Sequence, residues 1–150
     1  MSPMQWIASG GGIGRFPFAP GTAASLAAVL IGAPALWWDH RVLTLLAIAT
    51  CLIGTWVVHQ TNEPGDPGWI VIDEFAGQWI AMLGLDHLSI RGLIAAFLLF
   101  RLFDIVKPGP VGWADRGDGA VGVMADDIVA GLIAAALLFV TTFLFPAIIR

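Results

Sequence analysis

The stretch IVAGLIAAALLFVTTFLFPAII, residues 128–149, contains no charged side chain and is long enough to cross a bilayer as a helix. A membrane span needs about 20 predominantly apolar residues. Working back from it, the same signal recurs at Gly92–Val106, Trp69–Leu85, Val42–Val58 and Ala23–Trp38, where Trp37 and Trp38 suit an interfacial aromatic belt. Trp69–Leu85 carries Asp73, Glu74 and Gln78, so it reads either as a full span or as a half-inserted helix. The expected fold is therefore all-α: a polytopic membrane helical bundle of about five hydrophobic helices. A glycine-rich N-terminal loop precedes them, and residues 1–150 form one membrane-embedded domain.

Composition agrees. Hydrophobic residues make up 58% and charged residues 12%, with a mean hydropathy of +0.85, whereas soluble domains carry about 25% charged residues. A net charge of -4 and the lack of any basic run argue against nucleic acid as a partner. The single Cys51 lies in an apolar run and allows no intrachain disulfide. Residues 1–20 contain no secretory h-region, so the spans themselves are expected to direct the chain to the membrane. Small-xxx-small pairs at Gly77/Ala81, Gly92/Ala96 and Gly131/Ala135 favour close helix packing. Oligomeric state is not legible.

Of the eleven acidic residues, all but Asp39 and Asp86 fall in two blocks. Glu63, Asp66, Asp73 and Glu74 form the first; Asp104, Asp115, Asp118, Asp126 and Asp127 form the second. A carboxylate beside hydrocarbon costs roughly 2.5–3.5 kcal/mol on insertion scales unless it is paired or solvated. Alternating five spans across the bilayer puts Gly10–Thr22, Thr61–Glu74 and Asp104–Asp127 on one side. Both acidic blocks then meet the glycine-rich loop. Lys/Arg counting barely orients the chain, leaning towards this face inside.

Three constellations carry chemistry. Gly10-Gly11-Gly12-Ile13-Gly14-Arg15 and Ala19-Pro20-Gly21-Thr22 can turn backbone amides toward an anion, with Thr22 placed to cap the first span. The alternative is an irregular segment with an ordinary cap. Ile72-Asp73-Glu74 opens an apolar helix with adjacent carboxylates, which suits a metal or catalytic role better than simple dipole capping. Arg101, Asp104 and Lys107 share one helical stripe, ended by Pro108; a plain ion-pair ladder is the competing reading. Asp126-Asp127 could cap the last span, after a glycine-rich loop from Gly109 to Gly122. Mg2+ takes a few carboxylates, water and phosphate oxygens, which this inventory offers. The scattered His40, His59 and His87 do not make a zinc site.

The series Phe16-Pro17-Phe18-Ala19-Pro20-Gly21-Thr22, Ile72-Asp73-Glu74-Phe75-Ala76-Gly77, Phe100-Arg101-Leu102-Phe103-Asp104-Ile105-Val106-Lys107-Pro108 and Gly122-Val123-Met124-Ala125-Asp126-Asp127 closely resembles the phosphatidylglycerophosphatase A family. The resemblance covers almost the whole chain, in order. It departs after Thr22, where Ala23-Ala24-Ser25 lacks an expected glycine before the serine. It implies a Mg2+-dependent membrane phosphatase that converts phosphatidylglycerophosphate to phosphatidylglycerol in the bacterial inner membrane, with its site facing the cytoplasm. On that reading Asp73, Glu74, Asp126 and Asp127 hold Mg2+, joined in one variant by Asp104. Asp73, Asp104, Lys107 and Arg101 are catalytic, and Arg15, Gly21, Thr22 and Arg116 bind substrate. Membrane lipids are its surroundings. Water and an aspartate, Asp104 or Asp73, are both compatible as nucleophile. The alternatives are a small ion-coupled transporter, which would more often show a repeat, and another lipid phosphotransferase. The Asp-rich helix signature of the CDP-alcohol phosphotransferases is not matched.

Overall fold

The computed structural model describes residues 1–150 and is all-helical. The chain forms α1 (Pro3–Ala8), a 3-10 turn (Ile13–Arg15), α2 (Pro20–Trp38), α3 (His40–Thr61) and α4 (Ile72–Met82). Then come α5 (Ile90–Val106), α6 (Pro110–Ala114), α7 (Gly119–Leu144) and α8 (Pro146–Ile149). Polar side chains set several starts. Ser2 and Gln5 form a reciprocal capping box on α1. Asp39 Oδ1 accepts the Arg41 amide at 2.7 Å to open α3, and Ser89 Oγ accepts the Gly92 amide at 2.9 Å to open α5.

Three helices, α2, α3 and α7, are long and apolar enough to cross a membrane. α5, with 17 residues, stands at the lower limit of that length. α4 is only 11 residues and is not a span by length. It is the central helix instead: Asp73 through Met82 are all buried, and α2, α3, α5 and α7 pack around it. This position explains how it tolerates carboxylates and the non-helical backbone at either end. Irregular backbone at membrane depth persists only where protein or an aqueous cavity covers it. Exposed apolar side chains belong to the outer helices, among them Leu30, Leu45, Leu52, Leu98, Phe139 and Phe143.

Inside the bundle, small residues bring backbones together. A Cβ at Gly77 would lie 2.6 Å from the Asp127 carbonyl oxygen and would also overlap the Phe100 ring, while one at Gly131 would overlap the Gly77 carbonyl. The α4–α7 contact therefore depends on glycine on both sides. Above it, Phe75 and Trp79 meet edge to face with ring centroids 5.7 Å apart, and the Trp79 indole donates to the Ala28 carbonyl at 2.7 Å.

Several boundaries differ from expectation. The last span starts at Gly119, so Asp126 and Asp127 lie within α7 rather than capping it, and the 109–122 loop is largely helical. Each glycine costs a helix only about 1 kcal/mol, which tertiary contacts override. Gly122 in turn sits where any Cβ would overlap the Gly117 carbonyl. The same span stops at Leu144, because Pro146 cannot donate to the preceding turn and starts α8. Thr22 does not cap α2: the helix opens at Pro20, behind Ala19 in the left-handed region (φ 44°), with no side-chain cap.

Candidate active site

Five chain segments, among them the loop between α3 and α4, converge at one end of the bundle around a cavity of about 290 Å³. The start of α2 contributes Ala19 to Thr22, and α4 contributes Asp73 and Glu74 from its first turn. Arg101, Asp104 and Lys107 come from the end of α5, and Asp126 and Asp127 from α7. Asp66, Asp73 and Glu74 of the first acidic block and Asp104, Asp126 and Asp127 of the second thus line one cavity.

The ion pairs within it are specific. Arg101 Nη1 donates to Glu74 Oε2 at 2.5 Å and to Asp104 Oδ2 at 2.6 Å, so one guanidinium bridges α4 and its own helix. Lys107 does not continue that stripe. It ends α5 in the left-handed region (φ 49°) and turns away, donating to Asp115 Oδ1 and Asp126 Oδ2, each at 2.5 Å. Partial burial works against its charge, but Asp115 and Asp126 outweigh this and hold the ammonium above the usual lysine range. Asp73 Oδ1 accepts the Glu74 amide at 2.9 Å, which leaves Oδ2 as its open oxygen.

Carboxylate oxygens of Glu74, Asp104 and Asp127 lie within 4.8 Å of one another. Asp127 Oδ2 is buried and has no hydrogen-bond partner. A buried, unpartnered carboxylate oxygen beside two further carboxylates is costly as it stands, and it is the donor set that a hard divalent cation takes. These residues therefore fit Mg2+. Asp73 and Asp126, the other two expected ligands, line the same cavity but lie outside that trio.

Gly21 and Thr22 line the cavity. Their amides belong to the first turn of α2, where N–H groups have no intrahelical acceptor. Arg15 and Arg116 are not among the cavity-lining residues. Arg15 is exposed and lies over the Trp69 ring, 5.7 Å from its centroid; Arg116 is exposed near Trp113 in the turn between α6 and α7.

Two further residues, Ser25 and Asp66, join the site without having been singled out for it in the sequence. Ser25 Oγ, fully buried, lies 2.9 Å from both Glu74 Oε2 and the Gly21 carbonyl, giving its single proton to one of them at a time. Its link to Glu74 spans two helices, and nothing in the run Ala23-Ala24-Ser25 announces it. Asp66, from the loop after α3, lines the cavity as well; its acidic block was evident, its place at the wall was not.

Comparison with known proteins gives this geometry a lineage. The sequence profile of the family described as phosphatidylglycerophosphatase A matches residues 6–142. A phosphatidylglycerophosphatase A of Escherichia coli (strain K12) is 37% identical over 92% of this chain and 83% of its own length. One from Haemophilus influenzae is 35% identical, covering 93% and 88%. A Bacteroides thetaiotaomicron protein, described provisionally as a phosphatidylinositol-3-phosphatase, is 38% identical over 84% of this chain and 85% of its own. No solved structure matches the chain. The profile spans every residue that lines the cavity, and the chain belongs to the phosphatidylglycerophosphatase A family, a family of phosphatases.

Proposed function

We propose that this chain removes the terminal phosphate of phosphatidylglycerophosphate, leaving phosphatidylglycerol, with Mg2+ as cofactor and with its site on the cytoplasmic face of a bacterial inner membrane. The observation that supports this most is the trio Glu74, Asp104 and Asp127, with its unpartnered Asp127 Oδ2, inside a cavity that also holds Arg101 and Lys107. Bound by that trio, Mg2+ would offset phosphate charge and polarise the phosphoryl group.

The chain's own groups do the rest. The Gly21 and Thr22 amides, at the positive end of α2, receive phosphate oxygens. Lys107, poised by Asp115 and Asp126, and Arg101, poised by Glu74 and Asp104, stabilise charge as the phosphoryl group transfers. Water attacks phosphorus, its proton passes to Asp73 Oδ2, and the P–O bond to the glycerol breaks. That proton then goes to the departing alkoxide, giving the alcohol and inorganic phosphate. The lipid tails stay in the bilayer beside the outer helices.

The test is phosphate release by detergent-solubilised protein from phosphatidylglycerophosphate, with Mg2+ and with excess EDTA, and with phosphatidylinositol 3-phosphate as a competing substrate. Release that needs Mg2+ and prefers phosphatidylglycerophosphate is expected. Undiminished release in EDTA would remove the metal from the proposal, and preference for the inositol lipid would change the substrate.

A further inference from the structure

Beside the cavity, and outside the machinery described so far, an apolar groove of about 660 Å³ runs between the Ile13–Arg15 turn and α2. Gly10, Gly11 and Gly12 all have positive φ (58°, 70° and 97°), and this run swings the turn across the start of α2. Ile13 and Phe16 form one wall; Ala23, Leu26, Ala27 and Leu30 form the other. These four α2 residues follow the i, i+3, i+4, i+7 stripe of one helix face. The same helix presents its preceding turn, Pro20 to Thr22, to the acidic cavity. The groove lies on the outer face of α2, opposite the buried Ala24, Ser25 and Ala28, and begins one residue after the Pro20–Thr22 turn that lines the cavity.

The groove has one charged residue in its lining, Arg15. On the cavity side of the bundle, Arg101 and Lys107 are both held by carboxylates. Arg15 makes no ion pair and rests on Trp69, next to the Ile70–Val71 wall of the cavity. A cation with no anion of its own thus lines the apolar trough, stacked on the residue that precedes Ile70 and Val71 of the cavity lining. The proposed substrate has the matching order of groups: acyl chain, phosphodiester, glycerol, terminal phosphate.

Resting on the activity proposed above, we infer that this groove holds one acyl chain of the lipid substrate and that Arg15 contacts its inner phosphodiester, making both determinants of specificity rather than of bond cleavage. The terminal phosphate then lies at Gly21 and Thr22 while the chain follows Ala23 to Leu30 outward. Arg15 reads a group one glycerol unit away from the bond that breaks.

The experiment compares three substrates on purified protein: dioleoyl phosphatidylglycerophosphate, dioleoyl phosphatidate, and the tail-less glycerophosphoglycerol phosphate. Ala27→Phe fills the groove and should lower kcat/KM for the dioleoyl diester lipid by about tenfold or more relative to the tail-less compound. Arg15→Gln should raise KM for phosphatidylglycerophosphate by about tenfold relative to phosphatidate, which lacks the diester, with the kcat ratio little changed. Equal losses on all substrates, or none, overturn the inference. Should Ala27→Phe fail to fold, Ala23→Leu is read by the same ratio. Val121→Phe, in the separate groove beside Trp113 and Arg116, is the comparison: a chain-length effect there and not at Ala27 overturns the assignment. A wild-type protein inactive on all three substrates would instead refute the phosphatase reading itself, so the two failures are distinct.

Discussion

Arg101 of α5 and Glu74 of α4 meet at 2.5 Å with only 14% and 12% of their side chains exposed, and the same guanidinium nitrogen reaches Asp104 at 2.6 Å. The pair joins the first turn of the central helix to the end of α5. It also places a fixed positive charge beside the three carboxylates proposed to hold Mg2+. Removing one partner of a buried pair costs about 3–5 kcal/mol, because the other charge is left uncompensated. Arg101→Ala should therefore lower the melting temperature in detergent when no divalent cation is present. Added Mg2+ should stabilise this variant more than the wild type, since three carboxylates then have no other cation. Equal Mg2+-induced shifts in the two proteins would show that Glu74, Asp104 and Asp127 do not hold the ion.

Asp127→Asn and Asp73→Asn test two different roles at nearly constant volume. Asp127 contributes the unpartnered buried oxygen; Asp73 contributes the open Oδ2 proposed to take the proton from water. Both variants should fold in membranes and lose turnover. Only Asp127→Asn should also weaken Mg2+ binding, measured by titrating thermal stability against the metal. Near-normal activity of both at saturating Mg2+ would rule out both assignments.

Lys107→Ala should lower kcat by about 10²-fold or more, the size of effect seen when one transition-state donor of roughly 2.7–4 kcal/mol is lost. The left-handed backbone at Lys107 takes its side chain off the α5 stripe and toward Asp126, at the cavity wall. A rise in KM with kcat untouched would make Lys107 a ground-state binder instead.

Much of this arrangement is legible in the sequence. The apolar stretches predict an all-helical bundle, which the chain forms, although only three of its helices have the length of a span; residues of both acidic blocks, Glu74, Asp104 and Asp127, meet at one end. Helix limits were less legible. Gly117, Gly119 and Gly122 looked like a loop, yet α7 runs through two of them because Gly122 packs against Gly117. Hydropathy could not tell a spanning helix from the short, protein-covered α4, since burial in protein and burial in lipid select the same side chains. Ser25 and Arg15 mark the limit of sequence reasoning. Their neighbours, Glu74 and Trp69, are remote in sequence, and no local pattern encodes the contact.

Gly77 links packing to the site. Its Cα faces the Asp127 carbonyl so closely that a methyl group would sit 2.6 Å from that oxygen. Gly77→Ala should push α7 away from α4, costing about 1–3 kcal/mol of stability through overpacking. Because Asp127 and Glu74 lie on these two helices, apparent Mg2+ affinity in the variant should fall together with stability. A destabilised protein with unchanged Mg2+ affinity would show that the α4–α7 spacing does not set the carboxylate trio.

Sidedness is the remaining prediction, and the folded chain supplies the positions to test it. Gly68 follows α3 and has open space around a would-be Cβ; Asp118 precedes α7, is exposed, and makes no capping hydrogen bond. Both lie at the cavity end, Gly68 at the acidic cavity itself and Asp118 at the neighbouring acidic pocket. Arg41, exposed at the start of α3, marks the opposite end. Single cysteines at these positions, in a Cys51→Ala background, can be labelled with a membrane-impermeant maleimide on intact cells and on inverted inner-membrane vesicles. Gly68→Cys and Asp118→Cys should react only in inverted vesicles, and Arg41→Cys only in intact cells. The opposite pattern for all three would keep the fold but move the active site to the outer face. Labelling of Gly68→Cys and Asp118→Cys from opposite sides would separate, across the bilayer, two pockets that share Asp66 and Asp126, and would overturn the packing that joins α4 to α5 and Lys107 to α7.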